Sequence, residues 1–361
     1  MHQSEERLAS VAAAFRTGAK TYESIGSPLY SELCLVGAES PEVIALAARA
    51  MIGAQPVFHL LTVIHALLLA SPDHPLSRFY ATLAEEPLPP ADAGPDFLAF
   101  CHANAKEIVA TLQRSTVQTT FVERCVTLLP PIIWVADQLG EPLHLIEIGC
   151  SAGVLLAMDK YAYCLKDRPA FGSPAASLRI TGEIVGDPPL RIPSIASRTG
   201  LDLNPLDVRS PADRRWLNAQ VFPEYRHQRE QLNAAFDVVA ATDIRMVKGD
   251  ALATLPGVLA DTGDPLCLFH SVCLSYWTDE ALQALDEMLM AASLSRTLYR
   301  VGSEPSRAFS AWNKGHDRTG QAKPQSSGEV EIVRYENGRM DGRVVATNGT
   351  HQPVEWLGWR N

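Results

Sequence analysis

From Leu143 onward the chain alternates short apolar runs with helical segments. "LHLIEIG", "RTGLDLN", "IRMVKGD", "DPLCLFHS" and "RTLYRVGSE" are separated by stretches such as "PADRRWLNAQV", "YRHQREQLNAAFDVVAA" and "TDEALQALDEMLMAAS". Apolar runs of strand length divided by helices are the pattern of a parallel sheet covered on both faces. The expected fold class is α/β: a Rossmann-like, doubly wound, mostly parallel sheet. Beyond Gly328 the pattern turns strand-like with turn residues between, in "EVEIVRYENGRMDGRVVATNG", which predicts an antiparallel hairpin at the sheet edge.

Residues 1–140 show almost no alternating pattern. Ala, Leu and Val recur at helical spacing through "PEVIALAARAMIG", "DFLAFCHANAKEIVATLQ" and "TTFVERCVTLL". Ser40-Pro41-Glu42 reads as an N-cap with proline in the first turn, and Gly140 as the end of the helix "PIIWVADQLG". An all-helical N-terminal region, acting as cap or lid, is therefore expected over 1–140, and the sheet domain over 141–361. The Pro- and Gly-rich stretch 165–197 reads as an insertion in that domain. If the helical region is a lid, Tyr30, Arg114 and Gln118 are candidates for contacts with a substrate.

The first strand runs into "EIGCSAGVL", which admits two readings. Gly149 to Gly153 spells G-x-S-x-G, the nucleophile elbow of serine hydrolases, with Ser151 as nucleophile. Glu147 to Gly153 spells E-x-G-x-S-x-G, close to a glycine-rich nucleotide loop. Three features favour the nucleotide loop. No run upstream reads as a sheet or as an oxyanion-loop glycine cluster, which an elbow needs. Glu147 places a carboxylate inside an apolar strand, where burial costs several kcal/mol unless compensated. The next strand ends in Asp202, where a nucleotide fold wants a carboxylate for the ribose hydroxyls, at about the usual spacing once 165–197 is removed. Asp250 closes the third strand. Glu147, Asp202 and Asp250 are thus expected on one rim, although Asp250 could equally cap the helix "ALATLPGVLA".

The charge balance, 31 basic against 41 acidic residues, disfavours nucleic acid and anionic membranes as partners. Seven scattered cysteines in mostly apolar surroundings read as reduced core thiols. With no basic-then-apolar leader at the start, the expected compartment is the cytoplasm. "PVFHLLTVIHALLLA" is too short to span a bilayer and reads as a buried helix. Its histidines, His59 and His65, are six apart, wrong for joint metal binding on one face, and no H-E-x-x-H or C-x-x-C occurs; no metal site is expected. Arg214-Arg215 and "RHQRE" read as solvated helix faces.

Taken together, "GSPLYSEL", "HPLSRFY", "VQTTFVERCVTLLP", "EIGCSAGVLLAMDKYAY", "LDLNPLDVRSPADRRWLNAQVFPE" and "LFHSVCLSYW" resemble, over nearly the whole chain, a bacterial family catalogued as domain of unknown function 2332. The core also resembles the class I S-adenosylmethionine-dependent methyltransferases, whose first motif is E/D-x-G-x-G-x-G. That second resemblance implies S-adenosylmethionine as cofactor. Glu147, Gly149, Ser151 and Gly153 would then lie by its methionine end, Asp202 by its ribose, and Asp250 with Ala251 by its adenine. It further implies that "HSVCLSYW" faces the acceptor. One departure stands out: the middle glycine of the motif is Ser151, whose side chain could bond the cofactor or narrow the loop.

Methyl transfer mainly requires alignment of donor and acceptor and exclusion of water. One base could suffice, and His270 is the candidate, with Tyr276 and Trp277 shaping the acceptor pocket. Three functions follow as expectations. The first is a methyltransferase acting on a small molecule. The second is a protein of the same fold without catalysis, binding a ligand or partner. The third is a hydrolase using Ser151.

Overall fold

A computed structural model describes residues 2–51, 55–304, 328–348 and 353–359. Of the stretch around Gly315 to Gly328, whose composition reads as disorder, residues 315–327 lie outside the described residues. In chain order the helices are α1 (His2–Ser24), α2 (Pro28–Ala38), α3 (Pro41–Ala47), α4 (Pro56–Ala70), α5 (Gly94–Ala103), α6 (Ala105–Arg114), α7 (Arg124–Leu139), α8 (Pro211–Ala219), α9 (Arg226–Ala240), α10 (Ala251–Asp261) and α11 (Asp279–Ala292). The strands are β1 (Leu143–Ile148), β2 (Ala162–Leu165), β3 (Arg179–Gly182), β4 (Ile184–Val185), β5 (Ile195–Asp202), β6 (Arg245–Lys248), β7 (Leu266–Ser271), β8 (Leu298–Glu304), β9 (Gly328–Glu336), β10 (Arg339–Asn348) and β11 (Val354–Trp356).

Two compact units emerge, one of residues 1–120 with 209–233 and one of 121–208 with 234–361. α7 packs on the strands of the second unit and belongs to it. It runs unbroken through Pro130 and Pro131 and ends at Gly140, as the sequence predicts for its C-terminus.

The first unit is helical, as expected. Ser40 caps α3 by accepting the Val43 N–H, with Pro41 in the first turn. Its core gathers Phe15, Tyr30, Leu33, Leu60, Leu61, Ile64 and Phe97, all fully buried. Each such side chain contributes about 1.5–3 kcal/mol of transfer free energy. The apolar helix α4 is buried nearly all round, including both histidines. His59 Nε2 meets Ser115 Oγ at 3.0 Å, and His65 is held between the Ala219 carbonyl and Thr82 Oγ1.

The second unit is a mixed α/β structure around a nine-stranded sheet of order β4-β11-β10-β9-β8-β7-β1-β5-β6. The five strands β6-β5-β1-β7-β8 are mutually parallel. β9 and β10 follow as the antiparallel hairpin that the sequence predicts. The segment read as an insertion supplies β3, paired in parallel with β2, and β4, paired with β11.

Alternation along β1 divides its side chains between the two faces of the sheet. Ile146 and Ile148 join Leu255, Leu259, Leu282, Leu285 and Leu289 of α10 and α11 in one apolar cluster. Leu145 and Glu147 point to the opposite face, and α7 packs on β7, β8, β9 and β10. No α-helix follows the glycine-rich loop: residues Leu155–Lys160 form a 3₁₀ segment that leads straight into β2. The chain leaves the loop in a short, tight turn without an α-helical N-terminus. Tyr161 and Tyr163 anchor it by donating to the Val154 and Met158 carbonyls. Among the described residues no helix is long and apolar enough to cross a membrane.

Candidate functional site

The strand order reverses at β1. From β1 the chain adds β5 and β6 on one side, then returns to place β7 and β8 on the other. In open α/β sheets the loops diverge at such a point and leave a crevice outside the carboxyl ends of the strands. Glu147 lies at this edge, in register with Gly200 of β5 and Phe269 of β7. Asp202 ends β5, and Asp250 follows β6 by two residues. The three carboxylates thus stand on one edge of three adjacent strands, but their environments differ.

Asp202 is buried and closes the loop. Its Oδ2 accepts the Ser151 N–H at 2.8 Å, and its Oδ1 accepts the Asn204 N–H at 2.8 Å. Asp250 is exposed and caps α10 by accepting the Ala253 N–H at 3.1 Å, the ordinary alternative reading of this residue. Ala251 packs into the apolar cluster beneath α10, not towards the crevice. Neither geometry favours the adenine contact that the resemblance implies for this pair.

Glu147 is 2% exposed, and its Oε2 has no hydrogen-bond partner. Burial raises its carboxyl well above the usual range, the nearby Asp202 charge adds to this, and Arg124 opposes it. Ser151 adopts a left-handed conformation (φ 52°), and its Oγ is also buried without a partner. An elbow serine needs a base in contact, and none reaches this oxygen among the described residues. Gly149 (φ +75°) is constrained twice, since a Cβ there would lie 2.4 Å from Cys273 Sγ. The close approach that requires glycine is made by the protein's own thiol. Burial raises the pKa of that thiol, so Cys273 is held as a neutral packing group.

His270 corrects the expectation of a general base. It is fully buried, on the α11 face of the sheet, with both ring nitrogens engaged: Nδ1 lies 2.8 Å from Glu304 Oε1 and Nε2 lies 3.1 Å from Arg300 Nη1. Arginine only donates, so Nε2 must accept and Nδ1 carries the proton to Glu304. Glu304 also accepts the backbone N–H groups of Cys273, Leu274 and Ser275. Burial alone would raise its carboxyl, but the bonds from His270 and the loop amides outweigh that and leave it below the usual range. Arg300 binds Glu331, Asp286 and Tyr335 in turn. This network fixes the segment after β7 and leaves its histidine no access to a substrate. Tyr276 in that segment is 71% exposed, whereas Trp277 packs against the apolar cluster.

Sequence reasoning missed Arg124. It is the first residue of α7, half-buried, and no hydrogen bond or ion pair joins its guanidinium to any described residue. Burial lowers its pKa, against the opposing fields of Glu304, Glu147, Tyr276 and Glu123. A cation at a helix N-terminus gains nothing from the helix dipole. The available signal was the Glu123-Arg124 pair set in the otherwise mostly apolar "FVERCVTLLP". For Glu304 the signal was a carboxylate ending an apolar strand, the same one that marked Glu147.

The residues proposed for a lid belong to the helical unit. Tyr30 is a core residue, ringed by Tyr22, Tyr80 and Phe222 at centroid distances of 5.8–6.4 Å, and is not available to a substrate. Arg114 pairs with Glu107 on its own helix. The Gln118 N–H donates to Gln220. "RHQRE" is more than a solvated face: Arg226 and Arg229 donate to the carbonyls of Ala81, Thr82, Ala84 and Glu85, beside a cavity of about 340 Å³.

Among the described residues no group of His, Cys, Asp and Glu is placed to hold a metal ion. No curated protein matches the chain. The model of a bacterial family described as an uncharacterized protein conserved in bacteria (DUF2332) matches residues 12–359. A match of that extent identifies the chain as a member of the DUF2332 family.

Proposed function

We propose that this protein binds S-adenosylmethionine at the carboxyl edge of β1 and β5 and transfers its methyl group to a small molecule, on a core of Rossmann-like, methyltransferase type. The observation that carries this reading is the charge pattern of the crevice. Among the described residues the carboxyl groups of Asp202 and Glu304, with the buried acceptor Glu147, outnumber Arg124, the cation whose field Glu147 feels. Such a site favours a ligand of net positive charge, such as a sulfonium bearing an ammonium, and disfavours a phosphate-bearing nucleotide. The 3₁₀ segment after the loop points the same way, because phosphate loops rely on an α-helical N-terminus.

The residues present fit the cofactor at two points. Glu147 Oε2 and Ser151 Oγ are buried polar atoms without protein partners, beside a loop held in left-handed geometry. Asp202 would orient the ribose while it holds the loop through Ser151. Leu203, 70% exposed and next to Asp202, offers an apolar surface to the base. Bound there, the cofactor supplies an activated methyl group. The segment after β7, clasped by Glu304, would present Tyr276 to the acceptor.

A second reading, a ligand-binding protein without catalysis, is favoured by one observation: the imidazole nearest to that segment is sealed in the core.

Calorimetric titration of the full chain tests the first step. Saturable binding of S-adenosylmethionine, weakened at least about tenfold in Asp202→Ala, is expected; that factor corresponds to one charge-assisted hydrogen bond. Absence of binding by a folded wild-type protein would remove the proposal. S-adenosylhomocysteine formation in the presence of a cell extract separates enzyme from binding protein.

A further inference from the structure

Arg226 and Arg229 stand three residues apart on the first turn of α9, hence on one face of that helix, and both reach the loop 81–85. Arg226 donates from Nε to the Ala81 carbonyl at 2.7 Å and from Nη2 to the Ala84 and Glu85 carbonyls at 2.6 and 2.7 Å. Arg229 donates from Nη1 to the Thr82 carbonyl and from Nε to Asn218 Oδ1 at 3.3 Å. Consecutive carbonyls, those of Ala81 and Thr82, thus hold the two guanidiniums side by side. A third element fixes the same loop. The Ala219 carbonyl can only accept, so His65 Nδ1 carries the proton and Nε2 accepts the Thr82 hydroxyl at 2.7 Å. The loop and both arginines line one cavity of about 340 Å³, whose walls all belong to the helical unit.

All the partners of the two guanidiniums are neutral. Among the described residues no carboxylate lies within ion-pair distance of either, so two cations line the cavity uncompensated. Of the five N–H donors of a guanidinium, Arg226 spends three and Arg229 two, which leaves two on the first and three on the second. Glu85 and Glu230, both exposed, line the same cavity and add acceptors to it.

We infer that this cavity binds a small phosphorylated polyol, whose phosphate takes the spare N–H groups of Arg226 and Arg229 and whose hydroxyl groups donate to Glu85 and Glu230. A phosphate monoester carries a charge of about −1.5 to −2 near neutrality on three acceptor oxygens, which matches two cations and their remaining donors. A carboxylate, with one charge, would leave one cation unmatched. Guanidinium forks bind such oxygens two at a time. Ligand cavities begin at about 300 Å³, so this one has room for an organic remainder beyond the phosphate itself. The two glutamates disfavour a second phosphate and suit hydroxyl donors instead. Because three elements already hold the loop, the site is preformed and little ordering opposes binding.

The test is a set of calorimetric and thermal-shift titrations on the full chain with ribose 5-phosphate, glycerol 3-phosphate, inorganic phosphate, ribose and glycerate. Wild type is expected to bind at least one of the two esters, roughly tenfold or more tighter than inorganic phosphate, ribose or glycerate. Arg226→Gln should weaken ester binding roughly 10- to 100-fold, the range of charge-assisted hydrogen bonds, and Arg226→Lys, which keeps the charge but loses the fork, should recover part of it. Glu85→Ala with Glu230→Ala should lower the preference for esters over inorganic phosphate, a ratio that mere loosening of the loop would not move. This double variant also serves if Arg226→Gln fails to fold. Failure of both esters to bind wild type would overturn the inference, as would an ester affinity unaltered in Arg226→Gln or an ester preference unaltered in the double variant. Glycerate bound as tightly as glycerol 3-phosphate would overturn the assignment of a phosphate. Since every wall of the cavity lies in the helical unit, a failure of S-adenosylmethionine to bind leaves this assignment standing.

Discussion

Glu304 at the end of β8 accepts the His270 Nδ1–H at 2.8 Å, and the same carboxylate gathers the N–H groups of Cys273, Leu274 and Ser275. One buried side chain thus fixes both a core imidazole and the turn that follows β7. Glu304→Ala should release that turn without unfolding the sheet. Hydrogen exchange at residues 273–275 is expected to accelerate by roughly 10- to 100-fold, as for bonds to a charged acceptor worth about 1.5–3 kcal/mol. Unchanged exchange would show that the turn is held by other contacts.

Arg300 is 1% exposed and donates to Glu331, Asp286 and Tyr335. Removing the cation takes a charge-assisted partner from each of two buried carboxylates. Arg300→Met should therefore lower unfolding free energy by about 3–5 kcal/mol, read from urea denaturation. Tyr335→Phe, which removes one hydroxyl, should lower it by only about 1–3 kcal/mol.

Gly149 and Cys273 form a coupled pair. Gly149→Ala brings a methyl to 2.4 Å from the sulfur and places a side chain at φ +75°. A loss of about 2–4 kcal/mol is expected from overpacking and backbone strain together. Gly149→Ala with Cys273→Ala should recover the overpacking part but not the strain. The double-mutant cycle should thus give a coupling of about 1–3 kcal/mol.

Burial lowers His59 to about 4, and burial with the Arg229 charge lowers His65 to about 3. In the unfolded chain both titrate near 6.5. Between these values the unfolded state binds more protons, so stability rises with pH and is lost on acidification. The unfolding free energy should fall below about pH 6.5 by up to about 1.4 kcal/mol per pH unit for each histidine. His65→Gln should flatten that slope.

For Glu147 the sign is opposite. Burial, then the Asp202 charge, raise its folded value, with Arg124 opposing; Cys125, Cys150, Cys273 and Tyr161 also face it. The folded state holds this proton above the unfolded value of about 4.3, so stability declines as pH rises from there through the folded value. Glu147→Gln should remove the decline and raise the urea midpoint at neutral pH. A midpoint below that of wild type would show that the ionised carboxylate contributes favourably.

The sequence determined what depends on local pattern. The parallel strands, the antiparallel hairpin, the Ser40 cap, the buried α4 and the placement of Glu147, Asp202 and Asp250 on one edge all follow from periodicity and end signals, whereas the strands β11 and β4 that lie beyond the hairpin do not. A period of two or of about 3.6 residues is imposed by the backbone and needs no distant partner. Tertiary structure alone decided what each of these side chains meets. That Asp202 turns inward to hold Ser151, that Gly149 makes room for Cys273 and that His270 is sealed beneath Glu304 depend on which segments the sheet order brings together. The same holds for Arg124. In the sequence it is one arginine in a helical segment, and only the packing of α7 on the sheet brings its guanidinium into the field of the buried Glu147 carboxyl.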